Sequence, residues 1–487
     1  MRVLFVASEV YPLLKTGGLA DVAGALPPAL RELGVDVRLL LPGFPAILKG
    51  LDSVEKVSTL TAYPGARDVT LLSGRLPDSG VRAFVVDAPA FYDRPGNPYL
   101  GPDGKDWPDN DRRFALLGRA VLDVVPDIWD ADVVHAHDWH AGLAPAYLAA
   151  RRQDGSGPAT PSVFTIHNLA FQGLFPYDSF AETGLPANFF ALEGLEYWDQ
   201  LSFMKAGLHF AERLSTVSPT YAREIQQPEQ GMGMDGLLRH RARDLVGILN
   251  GVDYGVWNPE MDPAMPTPYS VQEFAPKATA KGALQKMLGL EPSERAPLFG
   301  VVSRLTEQKG LDLVLDALPW LIAKGGQLAL LGTGTLSIER GFERIGKAEP
   351  ERVGIRIEYD ETLAHNIIGG SDVILVPSRF EPCGLTQLFG LRYGTLPLAR
   401  RTGGLADSIV DATKRSLAEG AATGFLFERA TATALKRTLA RSLALYQNPV
   451  PWSSMCRRAM TRDFSWSKSA GRYLSLYQEL KETAEVT

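Results

Sequence analysis

Lys15-Thr16-Gly17-Gly18-Leu19 sets a lysine and two glycines at the start of a helical stretch. Glycine lets backbone amides approach a ligand closely, the helix dipole favours negative charge there, and the ammonium adds a point charge. Such a turn suits a phosphate; it also serves as a plain βα turn whose glycines only satisfy geometry. It is neither a P-loop nor the Gly-x-Gly-x-x-Gly fingerprint, which disfavours a P-loop kinase and a nicotinamide dehydrogenase. Ser303-Arg304-Leu305-Thr306-Glu307-Gln308-Lys309-Gly310 places two cations around a loop that leads into a helix. Cations there oppose the macrodipole and call for an anion, with pyrophosphate the natural candidate and a solvated surface pair the alternative. In Arg379-Phe380-Glu381-Pro382-Cys383-Gly384-Leu385-Thr386 a carboxylate fixed by the following proline can act on a sugar. Thr386 is expected to cap the next helix, and Cys383 is either reactive or packed. His135-Ala136-His137-Asp138-Trp139-His140 puts His135 and His137 on one strand face, which allows a metal site. The same position also suits Asp138 and His140 to polar ligands or to capping. Thr165-Ile166-His167-Asn168 suits hydrogen bonding to a polyhydroxylated ligand, or a turn with a structural histidine.

These stretches need a scaffold that delivers them to strand ends. Short apolar runs at 3–7, 35–41, 81–87, 133–136, 162–167 and 213–217 alternate with helical periodicity, as at 20–33. The alternation restarts with strands at 298–303, 327–331, 353–359, 373–376 and 395–399 and a helix at 310–323. Continuous apolar strands between helices indicate parallel sheets covered on both faces. Asn250-Gly251-Val252-Asp253 and the Trp257-Asn258-Pro259 stretch read as a linker. The expected architecture is α/β, two doubly wound Rossmann-like domains at 1–248 and 249–460, with a helical tail at 461–487 packing back on the first domain. Ligands then bind at the carboxyl ends of the strands, in a cleft that both domains line. Thr16-Gly17-Gly18-Leu19-Ala20-Asp21 recurs letter for letter as Thr402-Gly403-Gly404-Leu405-Ala406-Asp407, each after a cation, Lys15 or Arg401. Each copy is expected to make the same anion-attracting device.

Composition narrows the classes. The net charge is −6 and no broad basic face is implied, so nucleic acid and anionic membranes are not expected partners. Two cysteines, Cys383 and Cys456, exclude a disulfide scaffold and Cys-based zinc modules and fit a reducing compartment. The basic-then-apolar start, Met1 to Ala7, is cut by Glu9 and reads as a buried first strand rather than a signal peptide. No apolar stretch reaches the ~18 residues of a membrane span. The protein is expected to be cytoplasmic.

The motifs taken together, Lys-Thr-Gly-Gly-Leu, His-Asp-Trp-His, Thr-Ile-His-Asn, Ser-Arg-Leu-Thr-x-Gln-Lys-Gly, Glu-Pro-Cys-Gly-Leu-Thr-Gln and Thr-Gly-Gly-Leu-Ala-Asp, in this order, closely resemble the bacterial glycogen synthase and plant starch synthase family. The resemblance runs from Met1 to the Asp463-Phe464-Ser465-Trp466 tail. It implies a GT-B fold and transfer of glucose from ADP-glucose to the non-reducing 4-hydroxyl of an α-1,4-glucan, glycogen or a malto-oligosaccharide, with retention. It implies no metal and no cofactor, ADP-glucose being a substrate. Carried over, Glu381, His167, Lys309 and Arg304 are the expected catalytic residues. Arg304 and Lys309 would hold the diphosphate, Glu381 would lie beneath the glucosyl ring, and His167 would bond the transferred glucose through ring or backbone. Lys15, Gly17, Gly18, Asp21, Asp138, His140, Asn168, Asn250, Tyr359, Cys383, Gly384, Leu385 and Thr386 are the expected substrate-binding residues.

Two positions depart from related patterns. Gly332-Thr333-Gly334-Thr335 stands where the family usually has Gly-x-Gly-Asp, with Thr335 expected to cap the helix in place of the acid. Phe389 stands where many retaining GT-B enzymes carry a second glutamate, which favours the glycogen synthase branch. The competing readings are another retaining GT-B transferase using UDP-glucose or a different acceptor, a nucleotide-sugar 2-epimerase, and an idle glucan- or nucleotide-sugar-binding protein.

Overall fold

The structure, a computed structural model, describes residues 1–60, 63–157 and 160–486, so Thr487 of the expected tail lies outside the described residues. The chain forms two compact units, Met1–Gly251 joined by Trp466–Thr487, and Val252–Ser465. Asn250 therefore belongs to the first unit, and residues 461–465 to the second.

In the first unit the strands are β1 (Arg2–Val6), β2 (Asp36–Pro42), β3 (Asp52–Thr59), β4 (Thr70–Arg75), β5 (Arg82–Asp87), β6 (Val133–His137), β7 (Ser162–Ile166), β8 (Leu174–Pro176), β9 (Glu196–Tyr197), β10 (Gln200–Ser202), β11 (Arg213–Thr216) and β12 (Leu245–Gly247). Nine of them make one sheet in the order β12-β11-β7-β6-β1-β2-β5-β4-β3. From β12 to β5 every pairing is parallel, while β4 and β3 close the edge antiparallel. The apolar runs of β1, β6 and β7 are buried on both faces because helices cover the sheet. The edge strand β3, Asp-Ser-Val-Glu-Lys-Val-Ser-Thr, is almost wholly exposed, and its charges blunt an open edge. That polarity hides it, and β4 beside it, from a search for apolar runs. A separate antiparallel sheet, β8-β10-β9, is built from strands of only two or three residues.

The helix Trp466–Val486 packs on the helix Gly18–Glu32 of this unit. Its Tyr477 reaches His135 at 2.7 Å, and the Ser469 hydroxyl donates to the Leu249 carbonyl at 2.6 Å.

The second unit has β13 (Leu298–Val302), β14 (Gln327–Leu331), β15 (Val353–Arg356), β16 (Val373–Val376), β17 (Leu396–Arg400) and β18 (Phe425–Phe427). They form an all-parallel sheet ordered β15-β14-β13-β16-β17-β18. Phe299, Leu330, Val373 and Leu398 lie in its core with no exposed surface beyond 1 %.

The parallel strands switch to the other side of the first strand between β1 and β6 in the first sheet and between β13 and β16 in the second. At such a switch point adjacent crossovers run to opposite faces, and their loops separate to leave a crevice at the carboxyl ends of the strands. The register sets Phe5 beside His135 and Gly300 beside Ile374, so the loops that follow these strands emerge together.

Candidate active site

The switch point of the second unit brings Lys309 and Glu381 together. Lys309 lies on the loop after β13 and Glu381 on the loop after β16. The ammonium donates to both carboxylate oxygens, at 2.8 and 2.7 Å, and the Ser378 hydroxyl donates to Oε2 at 2.7 Å. Side-chain exposure is 19 % for Lys309 and 8 % for Glu381, so water screens this pair only weakly. In sequence they are 72 positions apart, with no reason to join them. Arg304, at the mouth of the same loop, is exposed, and its guanidinium has no partner among the described residues. Arg379 does not enter the cluster; it forks onto Asp312 at 2.6 Å through both terminal nitrogens.

The second copy of the repeated hexapeptide braces this loop from behind. The Gly404 amide donates to the carbonyls of Glu381 and Pro382 at 3.2 and 3.1 Å. Gly403 has φ +44°, and a Cβ at either glycine would collide with the backbone of residues 381–383. Glycine is needed here for close approach inside the protein. In the first copy, by contrast, Gly17 and Gly18 are exposed, and a Cβ on either meets nothing within 4 Å. Gly17, at φ −157°, is in extended backbone open to any residue. The expectation of one device made twice is thus corrected: one copy faces outward and the other is spent on holding Glu381.

Two capping expectations are also corrected. Thr386 is the first residue of the helix Thr386–Arg392, and the cap position is Leu385, without a side-chain bond. Thr335 sits at the cap of Leu336–Ala348 but caps nothing; Glu339 instead accepts from the Gly334 amide at 2.6 Å. Cys383 is buried and neither cysteine forms a disulfide. Gly384 takes φ +70° at the turn into the Thr386 helix. Tyr359 lies beyond β15, 77 % exposed, with its hydroxyl 3.2 Å from Glu361. Phe389 stacks on Trp257 at 3.9 Å between ring centroids, so an aromatic sandwich fills the place of a second glutamate.

At the switch point of the first unit the loop after β1 is organised by Glu9. Its buried carboxylate accepts the Thr16 amide at 2.5 Å and the Thr16 hydroxyl at 2.9 Å, and burial pushes the carboxyl above its ordinary range. Lys15 and Asp21, both expected at the ligand, hold each other at 2.8 Å. The Ser8 hydroxyl is 2.9 Å from that of Tyr99, whose ring stacks on His140 at 4.4 Å. Glu9 and Tyr99 are the organising residues that sequence reading missed. The signal for Glu9 was its lone charge at the end of the first apolar run; Tyr99 carried none.

Asp138 follows β6 with φ +54°, a conformation rare for a residue with a Cβ and costing roughly 1–3 kcal/mol. Its Oδ1 accepts the amides of His167 and Asn168 at 2.8 and 3.3 Å, so it fixes the loop after β7. Asn168 turns its own Oδ1 back to the Ala170 amide at 3.1 Å. His167 Nε2 is 2.9 Å from His137 Nδ1. Both nitrogens of His135 are taken, by Tyr477 and by Thr165 at 2.6 Å, so this ring is held on both sides by hydrogen bonds within the protein. Among the described residues no group of three or more His, Cys, Asp or Glu is placed to hold a metal ion. Asn250 is buried, and its Oδ1 has no partner among the described residues.

Burial shapes the charges here. It pushes Asp138 up to about 7 and His167 down to about 3, and it lowers His135, His137 and His140 well below the imidazole range. Below pH 6.5 the unfolded chain therefore binds protons at these four histidines that the folded chain refuses, and stability falls with acidity. Asp138 has the opposite sign: between about pH 4 and 7 the folded chain holds a proton there that the unfolded chain has lost. From these five groups stability should drop by roughly 3–4 kcal/mol per pH unit between pH 6 and 5. Urea midpoints measured across that interval check it, and a flat profile would mean the imidazoles are hydrated. Asp138→Asn keeps the Oδ1 acceptor and removes the buried charge. Its stability relative to the parent should rise by roughly 1.4 kcal/mol per pH unit across the pH 4–7 window. Parallel stability curves for the two proteins would count against a buried, proton-holding Asp138.

Two Rossmann-type units, each with its polar and charged groups on loops at the carboxyl ends of the central strands, are the parts of the GT-B fold. The comparisons carry this to a family. Residues 2–240 match the model described as the starch synthase catalytic domain, and residues 289–454 that of glycosyl transferases group 1. Proteins named glycogen synthase from Variovorax paradoxus (strain S110) and Francisella tularensis subsp. novicida (strain U112) are 54 % and 48 % identical, each covering 99 % of this chain, with 100 % and 99 % of their own lengths covered. The solved catalytic domain of starch synthase IV from Arabidopsis thaliana, bound to ADP and acarbose, superposes with a TM-score of 0.89 at 30 % identity over 99 % of both chains. The chain belongs to the glycogen synthase family. A sucrose-phosphate synthase from Thermosynechococcus elongatus, TM-score 0.58 at 16 % identity with 99 % of both chains covered, shares the fold alone.

Proposed function

We propose that this chain extends α-1,4-glucans, moving glucose from ADP-glucose to the non-reducing 4-hydroxyl of glycogen or a malto-oligosaccharide with retention of configuration. The observation that carries the reading is the Lys309–Glu381 pair at the second unit's switch point, with Arg304, exposed and without a partner among the described residues, at the mouth of the same loop. Arg304 and Lys309 would receive the diphosphate and stabilise its charge as the glycosidic C1–O bond breaks, the electron pair leaving on the phosphate oxygen. Glu381, freed in part from Lys309, would face the positive charge developing on the ring. The acceptor oxygen would attack C1 on the face that ADP leaves, passing its proton to the departing phosphate oxygen. A same-face attack within an ion pair is favoured over a covalent glycosyl-enzyme, since no motif places a second carboxylate beside Glu381.

Tyr359 and Asn250 would contact the nucleotide, and Cys383, Gly384, Leu385 and Thr386 would border the donor. In the first unit Lys15, Gly17, Gly18 and Asp21 would meet the donor, while His167, Asp138, His140 and Asn168 would shape the sugar and acceptor region. The open space at Gly17 and Gly18 supports this: neither backbone conformation nor internal packing asks for glycine there. ADP-glucose is the substrate and no further cofactor enters the scheme. We place the reaction in the cytoplasm, in keeping with two cysteines outside any disulfide; among the described residues no helix is long and apolar enough to cross a membrane.

The test is ADP release from ADP-glucose with and without glycogen, beside a matched UDP-glucose reaction. Glycogen-dependent ADP release is expected. Release from UDP-glucose alone would move the donor, and no release with ADP binding intact would point to another acceptor or to an idle binding protein.

A further inference from the structure

His137 has no exposed surface and no role in the scheme above. It projects from β6 on the same face as His135, and its ring orientation is fixed by its neighbours. Phe5 of β1 stacks against it at 3.8 Å between centroids, and the His135 ring lies at 3.9 Å. His135 is itself held at both nitrogens, by Tyr477 and Thr165.

The Nδ1 of His137 is 2.9 Å from the Nε2 of His167, a distance at which one nitrogen carries the shared proton. Burial keeps both rings neutral, so each holds a single proton. Two arrangements remain. In one, His137 donates from Nδ1 and keeps a bare lone pair on Nε2. In the other, His167 donates from Nε2, and His137, accepting at Nδ1, must carry its own proton on Nε2. That Nε2 is buried and has no hydrogen-bond partner among the described residues. The second arrangement strands a buried N–H donor, whereas the first leaves only an unused acceptor. Orphaned N–H groups are the rarer of the two in folded proteins.

We propose that His137 is a positioning residue that donates its Nδ1 proton to His167 Nε2 and so holds His167 in the tautomer protonated at Nδ1. The functional consequence rests on the reading of His167 as a contact to the transferred glucose. With Nε2 occupied, the ring offers that sugar a single donor, Nδ1–H, and selects a hydroxyl oriented to accept.

The tautomer can be read directly in the full-length, ligand-free protein. The chain has seven histidines, so a long-range proton–nitrogen spectrum of histidine-labelled protein is countable, and the His167→Ala variant identifies the His167 signals. The expected pattern is a protonated Nδ1 and a bare Nε2 on His167 near neutral pH. A protonated Nε2 on His167 overturns the proposal whatever the activity. His137→Leu removes the donor; it should release His167 to a mixture of tautomers and lower kcat roughly tenfold with KM for the donor little changed. His137→Asn restores an N–H near the Nδ1 position and should recover both the tautomer and most of the rate. Equal losses in the Leu and Asn variants, with the His167 pattern unchanged, would reduce His137 to a packing residue. An active His167→Ala protein whose parent shows the Nδ1–H pattern would instead remove the sugar contact and leave the tautomer assignment standing.

Discussion

Glu381→Gln should lose most turnover, roughly 10²–10³-fold in kcat, while binding of ADP and of the donor stays near the parent value. The substitution keeps shape and one acceptor oxygen, so the Ser378 hydroxyl and one of the two Lys309 contacts can persist. What disappears is the negative charge. In the ground state that charge neutralises Lys309; in the transition state it would also face the cationic sugar ring. A group whose interaction strengthens only as charge develops affects kcat rather than binding. Steady-state ADP release gives kcat, and calorimetric titration with ADP gives the binding term. Near-parental turnover would remove Glu381 from the chemistry and leave it as the structural partner of Lys309.

Lys309→Ala should lower kcat/KM by roughly 10²–10³-fold, with the donor KM raised as well as kcat lowered. The ammonium would serve both the bound diphosphate and the departing one, so its loss is felt in both terms, unlike the loss at Glu381. The variant also leaves the Glu381 carboxylate buried with only Ser378 as partner. Breaking one side of a buried pair costs about 3–5 kcal/mol in typical cases, and the partial exposure of Lys309 places this one toward or below the lower end. Thermal unfolding measured beside the kinetics separates the two effects. A rate effect under about threefold, with the stability loss intact, would assign Lys309 to holding Glu381 and nothing more.

Much of the fold was legible because the parallel sheets write themselves as continuous apolar runs. The runs at 327–331 and 373–376 coincide with β14 and β16, and most others lie within two residues of the observed ends. The run at 353–359 stops at Arg356, where the chain leaves the edge strand of the sheet. Strands without that signature, the exposed β3 beside β4 and the two- and three-residue strands β8 to β10, could not be seen, since antiparallel pairing and not a continuous apolar run makes them strands.

For the site, residue types marked the right loops but could not assign partners. Lys309 and Glu381 were each found as charged residues at strand ends. Their contact exists only because β13 and β16 are neighbours across a reversal of strand order. The repeated hexapeptide makes the same point from the other side. Identical letters predict identical local turns, yet Gly17 and Gly18 look into open space, while Gly403 and Gly404 press against the backbone of residues 381–383.

Local chemistry, then, is what the sequence by itself determined: which residues are charged, which runs must be buried, where turns allow close approach, and, through six motifs in order, which family the chain resembles. These depend on neighbours a few residues apart. Tertiary structure alone decided which charges neutralise one another, that Glu9 and Asp138 spend their carboxylates on backbone amides, and that a tyrosine of the last helix holds His135. Those outcomes depend on distances between residues up to 342 positions apart, and such distances are set by strand order and packing.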